Sequence, residues 1–530
     1  MTRKVQNMLK IKQGIAKRHL EWAIMLVPLC GILAVAAFVA LLPEQSFTIL
    51  ELLRDFFGNR FGAWYIIVGL GVFLSSLYMA FSRYGGIVLG ADEKPRYSNL
   101  RWGLMVFSAT MGADIIYWSL IEWAYYVTEP RIAQLGGPQE WASTYPLFHW
   151  GPIPWSFYIS LAVVFGFMLH VRQNGRQKIS ETCRPLLGSR IDGWLGKAIN
   201  LVAVFGLLAG TTTTLGVVMP VLSAIVTKLT GIPGSVGLTL AILFFIAILY
   251  TLAVWFGVEG ISKLSAVCAA MFGALLLFVL LAGGEARYIL ETGVQSLGNL
   301  AQNFLALATW IDPLRLSGGG GTGFAQSWTV FYWSYWMVWC IATPLFIGTI
   351  SKGRTIRSTV LGGYFWGLAG TFASFIILGN FGLAKQMRGS LDAAGRLVGG
   401  EEPAVLILEI FQHLPLEGVG LVLVAVSMVF FYTTVFDALT LVLSTYSYKE
   451  LGVSKEPDKK VRSFWALLFT LLPAALIFSK GTLSSLQTVP IIAAFPIGAV
   501  IVVAIASFFK DAGSLLDEKE GLGRQPSTRT

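Results

Sequence analysis

The amino-acid sequence predicts an all-α polytopic membrane protein, from its low charge and its repeated apolar runs. Charged residues make up 13% of the chain and hydrophobic residues 55%, whereas a soluble domain carries about 25% charged residues. The mean hydropathy is +0.68. Apolar runs of about 20 residues recur along the chain, and each is long enough to cross the hydrocarbon core of a bilayer as a helix. The weaker alternating pattern of a membrane β-barrel is absent from the sequence.

The apolar runs predict about twelve spans. We place them approximately at residues 21–43, 61–82, 101–127, 151–171, 194–227, 235–257, 264–283, 328–350, 358–381, 417–446, 463–480 and 488–509. Residues 1–20 form a basic leader, residues 21–509 form one helical domain, and residues 510–530 form a polar tail that we expect to be disordered. An even number of spans puts both termini on the same side.

The basic residues set the expected orientation. The formal net charge is +10, and Lys and Arg concentrate in the loops after spans two, four, eight and ten, as cytoplasmic loops require. We therefore expect a multi-pass protein of the inner (plasma) membrane with both termini cytoplasmic and with no nucleic-acid partner. The N-terminus lacks an AxA-like cleavage site, which favours a retained first helix over a signal peptide.

The longest outer loop, at about residues 284–327, contains an amphipathic pattern. Apolar side chains recur at helical spacing over residues 297–312, with polar residues between them, which predicts a helix lying along the outer surface. The glycine-rich run from Ser317 to Gly323 then turns the chain back toward the membrane. No GK[ST] follows that run, so it is not a phosphate-binding loop.

The sequence holds no pattern of a metal centre or of an enzyme. Its four cysteines are scattered without CxxC spacing. The four histidines form neither a metal-ligand set nor a nucleophile–base pair. We expect no catalytic residue, no metal and no cofactor.

Aromatic residues crowd the stretch from Ser327 to Ile341, which reads SWTVFYWSYWMVWCI. Residues three or four apart lie on one helix face, so we expect Trp333, Trp336 and Trp339 along one side with two tyrosines beside them. Ring faces attract a cation that has no hydrogen-bond donor, which is how aromatic cages hold quaternary ammonium groups. The plainer alternative is an aromatic belt at the membrane interface or ordinary helix packing.

A second aromatic cluster begins span four with the motif FHWGPIPW. Two prolines in this motif prevent a regular helix start, so Trp150 and Trp155 are fixed on a kinked segment, with Tyr158 following. His149 has no second ligand for a metal, which favours a hydrogen-bonded structural role.

Three ionisable residues fall inside predicted spans, where they are costly and indicate function by default. Asp114 lies beside Gly112 in span three. It could carry a proton, face a cationic substrate, or bond to exposed backbone N–H groups. Glu122 in the same span favours a structural bond to a neighbouring helix. Asp437 in span ten lies among hydroxyls that could satisfy it locally.

Four consecutive threonines occupy the middle of span five, in the motif AGTTTTLG from Ala209 to Gly216. Their hydroxyls could bind an ion or a substrate carboxylate. Bonding back to the carbonyls of their own helix is at least as good an interpretation.

These motifs resemble those of the betaine/carnitine/choline transporter family. WTVFYWSYW, followed by ISKGRTIR from Ile350 to Arg357, resembles the family signature TVFYWAWW…ISRGRTIR. FHWGPIPW, the glutamate of span three and the FF…D pattern of span ten follow in the family's order. The resemblance covers residues 60–509, and PLFHWGPIPW with IEWAYYV is most similar to the carnitine/γ-butyrobetaine exchanger branch.

The resemblance implies a LeuT-like fold and a substrate site. Two inverted five-helix repeats, at about 101–283 and 328–509, would follow two leading helices, and the protein would form a homotrimer. Spans three and eight would then hold a site at the bilayer midplane. Together with Trp333 from the aromatic stretch, the family's cage positions give as candidate substrate-binding residues Tyr125, Trp150, Trp155, Tyr158, Tyr335, Trp336 and Trp339. Tyr335 replaces a tryptophan of the usual pattern.

The residues that resemble the family's sodium sites depart from the sodium-coupled pattern. The run Gly-Met-Gly-x-Gly in span three reads here Thr110 to Asp114, with Met111 retained. The Thr-Ser pair of span ten reads Thr434-Val435, which removes one oxygen ligand from a cation that needs several.

Sodium-independent coupling is the expected alternative. Of the two ion substitutes of the family's exchangers, the methionine falls on Thr343 and the basic residue falls near Lys263. Proton-coupled choline carriers resemble this chain in the aspartate at the position of Asp114. A carboxyl group in a low dielectric favours its neutral form, so Asp114 could load and release a proton.

The combined prediction is a secondary active transporter of small quaternary ammonium compounds such as carnitine, betaine or choline. It would work by alternating access without sodium, by substrate exchange (antiport) or by proton coupling. A sodium-coupled glycine betaine symporter for osmoprotection is one alternative. An osmotically gated channel is an alternative of another class, although no span shows the continuous polar lining of a pore.

Overall fold

Helices form nearly all the regular structure of the chain. The computed structural model describes residues 20–90, 94–253, 257–316, 321–451, 457–478 and 483–523. Within these ranges nine helices are long and apolar enough to cross a membrane, or eleven if each of two bent helix pairs counts as one crossing. The β-structure in the same ranges consists of two isolated bridges, Leu20–Tyr448 and Val88–Thr355. The predicted all-α membrane fold is confirmed.

The main helices are numbered in chain order. They are α1 (Trp22–Leu41), α2 (Pro43–Arg54), α3 (Gly62–Phe81), α4 (Asn99–Ser108), α5 (Gly112–Val127), α6 (Pro138–His149), α7 (Pro152–Gly166), α8 (Trp194–Thr230), α9 (Val236–Ala253), α10 (Gly257–Ala282), α11 (Ala286–Thr309), α12 (Val330–Trp339), α13 (Thr343–Ile350), α14 (Ile356–Ser374), α15 (Asn380–Met387), α16 (Pro403–Gln412), α17 (Glu417–Tyr446), α18 (Lys459–Phe478) and α19 (Leu483–Gly523). Eleven of the predicted spans correspond to a long helix or a bent pair, and the sixth corresponds to the shorter apolar helix α9.

Proline and glycine set several of the helix boundaries. Pro43, Pro138 and Pro152 lie in the first turn of α2, α6 and α7, where the missing N–H has no intrahelical partner to lose. The long helix α8 ends at Gly231, which has a φ of +75°. Glycine adopts this left-handed conformation without the steric cost of a side chain.

Both ends of the described chain lie on one face of the bundle, called here the terminal face. Lys178, in the loop after α7, pairs with Glu21 just before α1 at 2.8 Å. Arg172 pairs with Asp511 of α19 at 2.7 Å. The basic loop after span four is therefore tied to both ends of the helical domain.

A further pair on the terminal face responds to pH in a defined direction. The hydrogen bond from Arg184 lowers the pKa of Asp192 to about 2. Because this pKa is lowered, the pair stabilises the fold fully at neutral pH, and that contribution is lost as the pH falls toward about 2. Both side chains are partly exposed, so the contribution of the pair is small.

Helix α11 lies on the opposite face. It spans Ala286–Thr309, so it begins well before the predicted amphipathic helix at residues 297–312 and ends slightly before that helix does. Ser296 on its buried side donates a hydrogen bond to Ser143 of α6 at 2.8 Å, while Val294 is exposed. The amphipathic pattern thus describes a helix with one face on the bundle and one face free.

Some predicted segments fall outside the described ranges. These are most of the basic leader at residues 1–20, part of the glycine-rich run from Ser317 to Gly323, and the last residues of the tail. The expected disorder of the tail from Lys510 is wrong as far as Gly523, because α19 continues to that residue. The ion pair of Asp511 with the loop after α7 contributes to holding this extension in place.

The carboxylate of Asp437 is neutralised inside the bundle. It forms an ion pair with Arg462 of α18, and the two side chains are 2% and 4% exposed. The predicted structural role of Asp437 fits this arrangement. The partner was not indicated by the sequence, where Arg462 counts among the basic residues of a loop.

Replacing Arg462 with Met is expected to lower the free energy of unfolding by about 3–5 kcal/mol, because it leaves a buried carboxylate without its counter-charge. Thermal or denaturant unfolding in detergent measures the loss. The control is Arg287→Met, since the pair of Arg287 with Glu291 is 88% and 65% exposed and should contribute little to stability. Equal losses in the two variants would contradict this account of the buried pair.

Candidate functional site

Two spans are broken at the centre of the bundle, and the breaks meet. Helices α4 and α5 are bent by 65° and helices α12 and α13 by 54°. The hydroxyl of Thr343, at the start of α13, donates to the carbonyl of Ala109 in the first break at 3.3 Å. Gly112 begins α5 directly against the ring of Phe431, where a Cβ atom would overlap that ring. The chain is therefore both bent and closely packed beside Gly112.

Four buried rings meet beside these breaks and are called here the aromatic cluster: Trp150, Trp155, Tyr158 and Trp336. The ring of Trp336 on α12 lies 5.8 Å from Trp150, 5.3 Å from Trp155 and 4.7 Å from Tyr158, measured between centroids. Trp150 lies directly before α7, and Trp155 and Tyr158 lie in its first two turns. The two aromatic motifs of the sequence therefore converge on one place in the fold.

Hydrogen bonds from the indole nitrogens fix two rings of the cluster. Trp150 donates its Nε1–H to Glu122 Oε2 at 2.8 Å, and Trp155 donates its Nε1–H to Thr371 Oγ1 of α14 at 3.1 Å. Trp155 also lies against Gly367, where only a residue without a side chain leaves room for it. Each ring is thus oriented by a neighbouring helix and not by its own.

The cluster has the composition of a site for a methylated cation. A cation binds a ring face within about 6 Å of the centroid, so two rings that face each other across it need centroids roughly 8–10 Å apart. Trp336 is closer than that to all three partners. A trimethylammonium ligand must therefore part these rings, or approach them from the side.

The three tryptophans of α12 do not lie along one side, which corrects the prediction. Trp333 packs on Phe148 at 5.8 Å and on Gly69 of α3, Trp336 faces α7, and Trp339 lies against Gly210 of α8. Successive steps of three residues turn the side chain by about 300° around a helix. Trp333 and Trp339 consequently point in directions about 120° apart.

Tyr125 lies apart from the aromatic cluster. It is half-buried near the end of α5 and contacts Trp328 at 5.3 Å. Rings connect the two regions, because Trp328 stacks on Tyr332 at 6.2 Å and Tyr332 contacts Trp150 at 5.4 Å. The aromatic side chains thus form a continuous series from the end of α5 to the cluster.

Asp114 forms a buried polar centre with two hydroxyl groups. Tyr335 donates its hydroxyl to Oδ1 of Asp114 at 2.8 Å, and Thr214 of α8 donates to Oδ2 at 3.2 Å. The oxygens of the two hydroxyls also lie in contact with each other, although each hydroxyl has a single proton to donate. Tyr432 of α17 donates to the Thr214 carbonyl at 3.1 Å. The hydroxyl that Tyr335 brings in place of a tryptophan is therefore used to hold Asp114.

The four threonines of α8 have different roles. Thr211 and Thr212 donate to the carbonyl of Leu208 in their own helix. Thr213 reaches the carbonyl of Leu486 in α19 at 2.6 Å. Thr214 alone among the four contacts the polar centre. Bonding back to the helix is thus the correct interpretation for Thr211 and Thr212, and Thr213 also contacts the Ala209 carbonyl of its own helix at 3.4 Å.

The other predicted coupling residues are dispersed. Met111 is buried in the first break. Thr434 bonds back to the Phe430 carbonyl at 2.9 Å and meets the Cys268 sulfur at 3.3 Å. Lys263, near the start of α10, has an exposed side chain. The structure brings Thr343 and Asp114 near the breaks, and it does not bring Lys263 to the buried site.

Several residues of the site carry no recognisable pattern in the sequence. Phe375 contacts Trp150 at 5.5 Å, and Thr371 receives the hydrogen bond from Trp155; both belong to an ordinary apolar span. His149 has the hydrogen-bonded role that was predicted, to Tyr126 at 2.7 Å and to Thr329 at 2.9 Å. Neither partner could be identified from the sequence, because both contacts join separate helical segments.

Known proteins resemble this chain over most of its length. The family described as BCCT, betaine/carnitine/choline family transporter, matches residues 23–515. An uncharacterized transporter, YeaV, of Escherichia coli is 27% identical, over 82% of this chain and 89% of its own. The glycine betaine transporter OpuD of Bacillus subtilis is 30% identical, over 88% of this chain and 90% of its own. A carnitine transporter of Acinetobacter baumannii is 28% identical, over 80% and 76%.

Replacing Gly367 with Ala is expected to disturb the aromatic cluster, because the new methyl group would lie 2.5 Å from the ring of Trp155. Overpacking of this kind costs about 1–3 kcal/mol, which unfolding measurements detect, and the near-ultraviolet circular dichroism of the tryptophans should change. Gly71→Ala is the control, since a Cβ atom there meets nothing within 4 Å. An unchanged spectrum and stability for Gly367→Ala would contradict the packing described.

Proposed function

Because the chain belongs to the betaine/carnitine/choline transporter family, we propose that it is a secondary active transporter of a small trimethylammonium compound, held between the rings of the aromatic cluster. The observation that carries the proposal is the convergence of Trp336 with Trp150, Trp155 and Tyr158. Four electron-rich faces in a buried site suit a cation that cannot donate hydrogen bonds.

A carboxylate on the substrate fits the same region. Among the described residues, the buried indole N–H groups of Trp336 and Trp339 have no hydrogen-bond partner. An unpaired buried donor costs about 1–3 kcal/mol, and a substrate carboxylate would relieve that cost. This favours betaine-like or carnitine-like compounds over choline, and two relatives are named as transporters of glycine betaine and carnitine.

The two bent spans support alternating access by inverted repeats. In the proposed repeats, at about residues 101–283 and 328–509, spans three and eight are the first helices of each half, and they are the two bent pairs found in the described chain. Broken helices at the repeat interface are the usual site of substrate binding in such transporters. We further place the terminal face in the cytoplasm and the transporter in the inner membrane, as a homotrimer.

Coupling without sodium is proposed from Asp114. Its carboxylate lies beside the break of span three and is held by Tyr335 and Thr214, which are hydroxyl donors and not cations. A proton could therefore exchange at this carboxylate as the helices that supply the hydroxyls move. Exchange of one substrate for another is the other sodium-independent mode, and it requires no titrating group.

Replacing Trp336 with Leu is expected to weaken substrate binding by up to about 2 kcal/mol, because it removes the ring that contacts all three others in the cluster. Binding of labelled carnitine, glycine betaine and choline to the purified protein measures the change. Trp194→Leu, at a side chain that is 79% exposed, should bind normally. Unchanged affinity in Trp336→Leu would remove the cluster from the substrate site.

Replacing Asp114 with Asn is expected to abolish any stimulation of uptake by an imposed pH gradient, because the amide cannot take up a proton. Exchange of labelled for unlabelled substrate across proteoliposomes should persist, which also separates a carrier from a channel. The assay compares uptake with sodium, without sodium and with a pH gradient, and Asp192→Asn on the terminal face is the control. Uptake that requires sodium, in wild type and variant alike, would instead favour a sodium symporter.

A further inference from the structure

Glu122 lies on α5 with both oxygens of its carboxylate occupied by buried donors. Tyr126 donates its hydroxyl to Oε1 at 2.7 Å, and Trp150 donates its indole N–H to Oε2 at 2.8 Å. All three side chains are fully buried. The carboxylate is therefore one indole ring away from the site proposed for the substrate cation.

The unusual feature of this carboxylate is the kind of residue that faces it. Among the described residues, the ion-pair partner within reach is a histidine, His149, whose Nδ1 lies 3.6 Å from Oε1 of Glu122. His149 is hydrogen-bonded at both ring nitrogens, to Tyr126 and to Thr329. A proton on Nδ1, with the Thr329 hydroxyl donating to Nε2, leaves the imidazole neutral, directs the Tyr126 hydroxyl to Glu122 and satisfies every group. Within the described ranges, no arginine or lysine plays the part that Arg462 plays for Asp437.

The bond to Glu122 also sets how Trp150 meets a ligand. An indole N–H is a donor only, so its partner fixes the direction of the ring plane. With the N–H directed at Glu122, the ring extends to Trp336 at 5.8 Å and to Phe375 at 5.5 Å. A bound cation nearby favours the ionised form of this carboxyl. The ionised carboxylate then makes a strong hydrogen bond with the N–H and increases the electron density of the ring face that the cation would contact.

We propose that Glu122 positions Trp150 and supplies the counter-charge by which the site selects a cation over a neutral molecule of the same shape. This inference rests on the proposed function and assigns part of its substrate specificity to a residue outside the aromatic cluster. A carboxylate that is separated from a desolvated cation by one indole ring acts through a low dielectric, where charge–charge interaction is much stronger than in water.

The chain contains a matched control for this bond. Glu129 accepts the indole N–H of Trp328 at 2.8 Å, the same pair of chemical groups at the same distance, but neither residue contacts the aromatic cluster. Glu129→Gln removes a carboxylate from the indole N–H of a tryptophan in the same way, at a position where the carboxylate is less deeply buried. We expect Glu122 to contribute to cation selection and Glu129 to contribute nothing to it.

The test measures how well two ligands compete with labelled substrate for binding to each variant. One ligand is a trimethylammonium compound (glycine betaine, carnitine and choline in turn). The other is its tert-butyl isostere, in which a carbon replaces the charged nitrogen. Glu122→Gln keeps an acceptor for Trp150 and loses the charge, so the preference for the cation over the isostere should fall by about tenfold. Glu122→Asp should restore part of the preference, and Glu129→Gln should retain all of it.

The outcomes separate the inference from the proposed function. A wild type that binds none of the trimethylammonium compounds would remove the proposed function itself. A wild type that binds them no better than the isostere, or a Glu122→Gln variant that loses both ligands to the same extent, would overturn the inference alone and leave Glu122 as a structural residue. If Glu122→Gln does not fold, Glu122→Asp in the same competition decides the question, since the longer charge separation should lower the affinity for the cation only. An unchanged preference in Glu122→Asp would then overturn the inference.

Discussion

The contact of Trp336 with the rings at the start of α7 is the interaction on which the proposed mechanism depends. Trp336 lies in the last turn of α12, which ends at Trp339, and the chain turns before α13. Trp150 precedes Pro152, the first residue of α7. Two irregular segments thus bring three rings of one proposed repeat to a ring of the other. Helices that ran straight through both positions would carry these side chains past each other.

The three carboxylates inside the predicted spans are held in different ways. Asp437 forms an ion pair with Arg462, which compensates its buried charge. Asp114 has two hydroxyls, and Glu122 has a hydroxyl and an indole N–H. Neutral donors stabilise a carboxylate while leaving its charge uncompensated. The two carboxylates without a cation are those nearest the aromatic cluster, where a cationic substrate would complete the balance of charge.

Most of the fold could be predicted from the sequence because a bilayer imposes a length and a hydrophobicity on every crossing helix. The irregularity beside Gly112 was also predictable, since a glycine and an aspartate inside an apolar span contradict a regular lipid-exposed helix. The second break, from Cys340 to Ala342, lies directly before Pro344 in the first turn of α13. A proline at this position excludes the Cys340 carbonyl from a regular helix, so a signal for the break was present in the sequence, although span eight was predicted without one.

The site was predicted in its composition and only partly in its geometry. Trp150, Trp155, Tyr158 and Trp336 come together, because the family motif specifies both of its halves. Trp333 and Trp339 were assigned to the same face by their spacing, although the rotation of a helix spreads three such residues over three neighbours. Tyr335 was a candidate substrate-binding residue from the family pattern, and the role of its hydroxyl in holding Asp114 could not be predicted, because only the fold brings α5 and α8 to it.

The position of a substrate's charged atom in the protein would show directly whether these rings enclose it. An arsenic analogue of a trimethylammonium substrate, bound in crystals of the transporter, gives an anomalous scattering peak at that atom. We expect one peak within about 6 Å of the ring centroids of Trp336 and Trp155, with Tyr158 and Trp336 further apart than the 4.7 Å of the present structure. A peak beside Tyr125 and Trp328 alone, with the four rings of the cluster still in contact, would contradict the proposal that the aromatic cluster encloses the substrate cation.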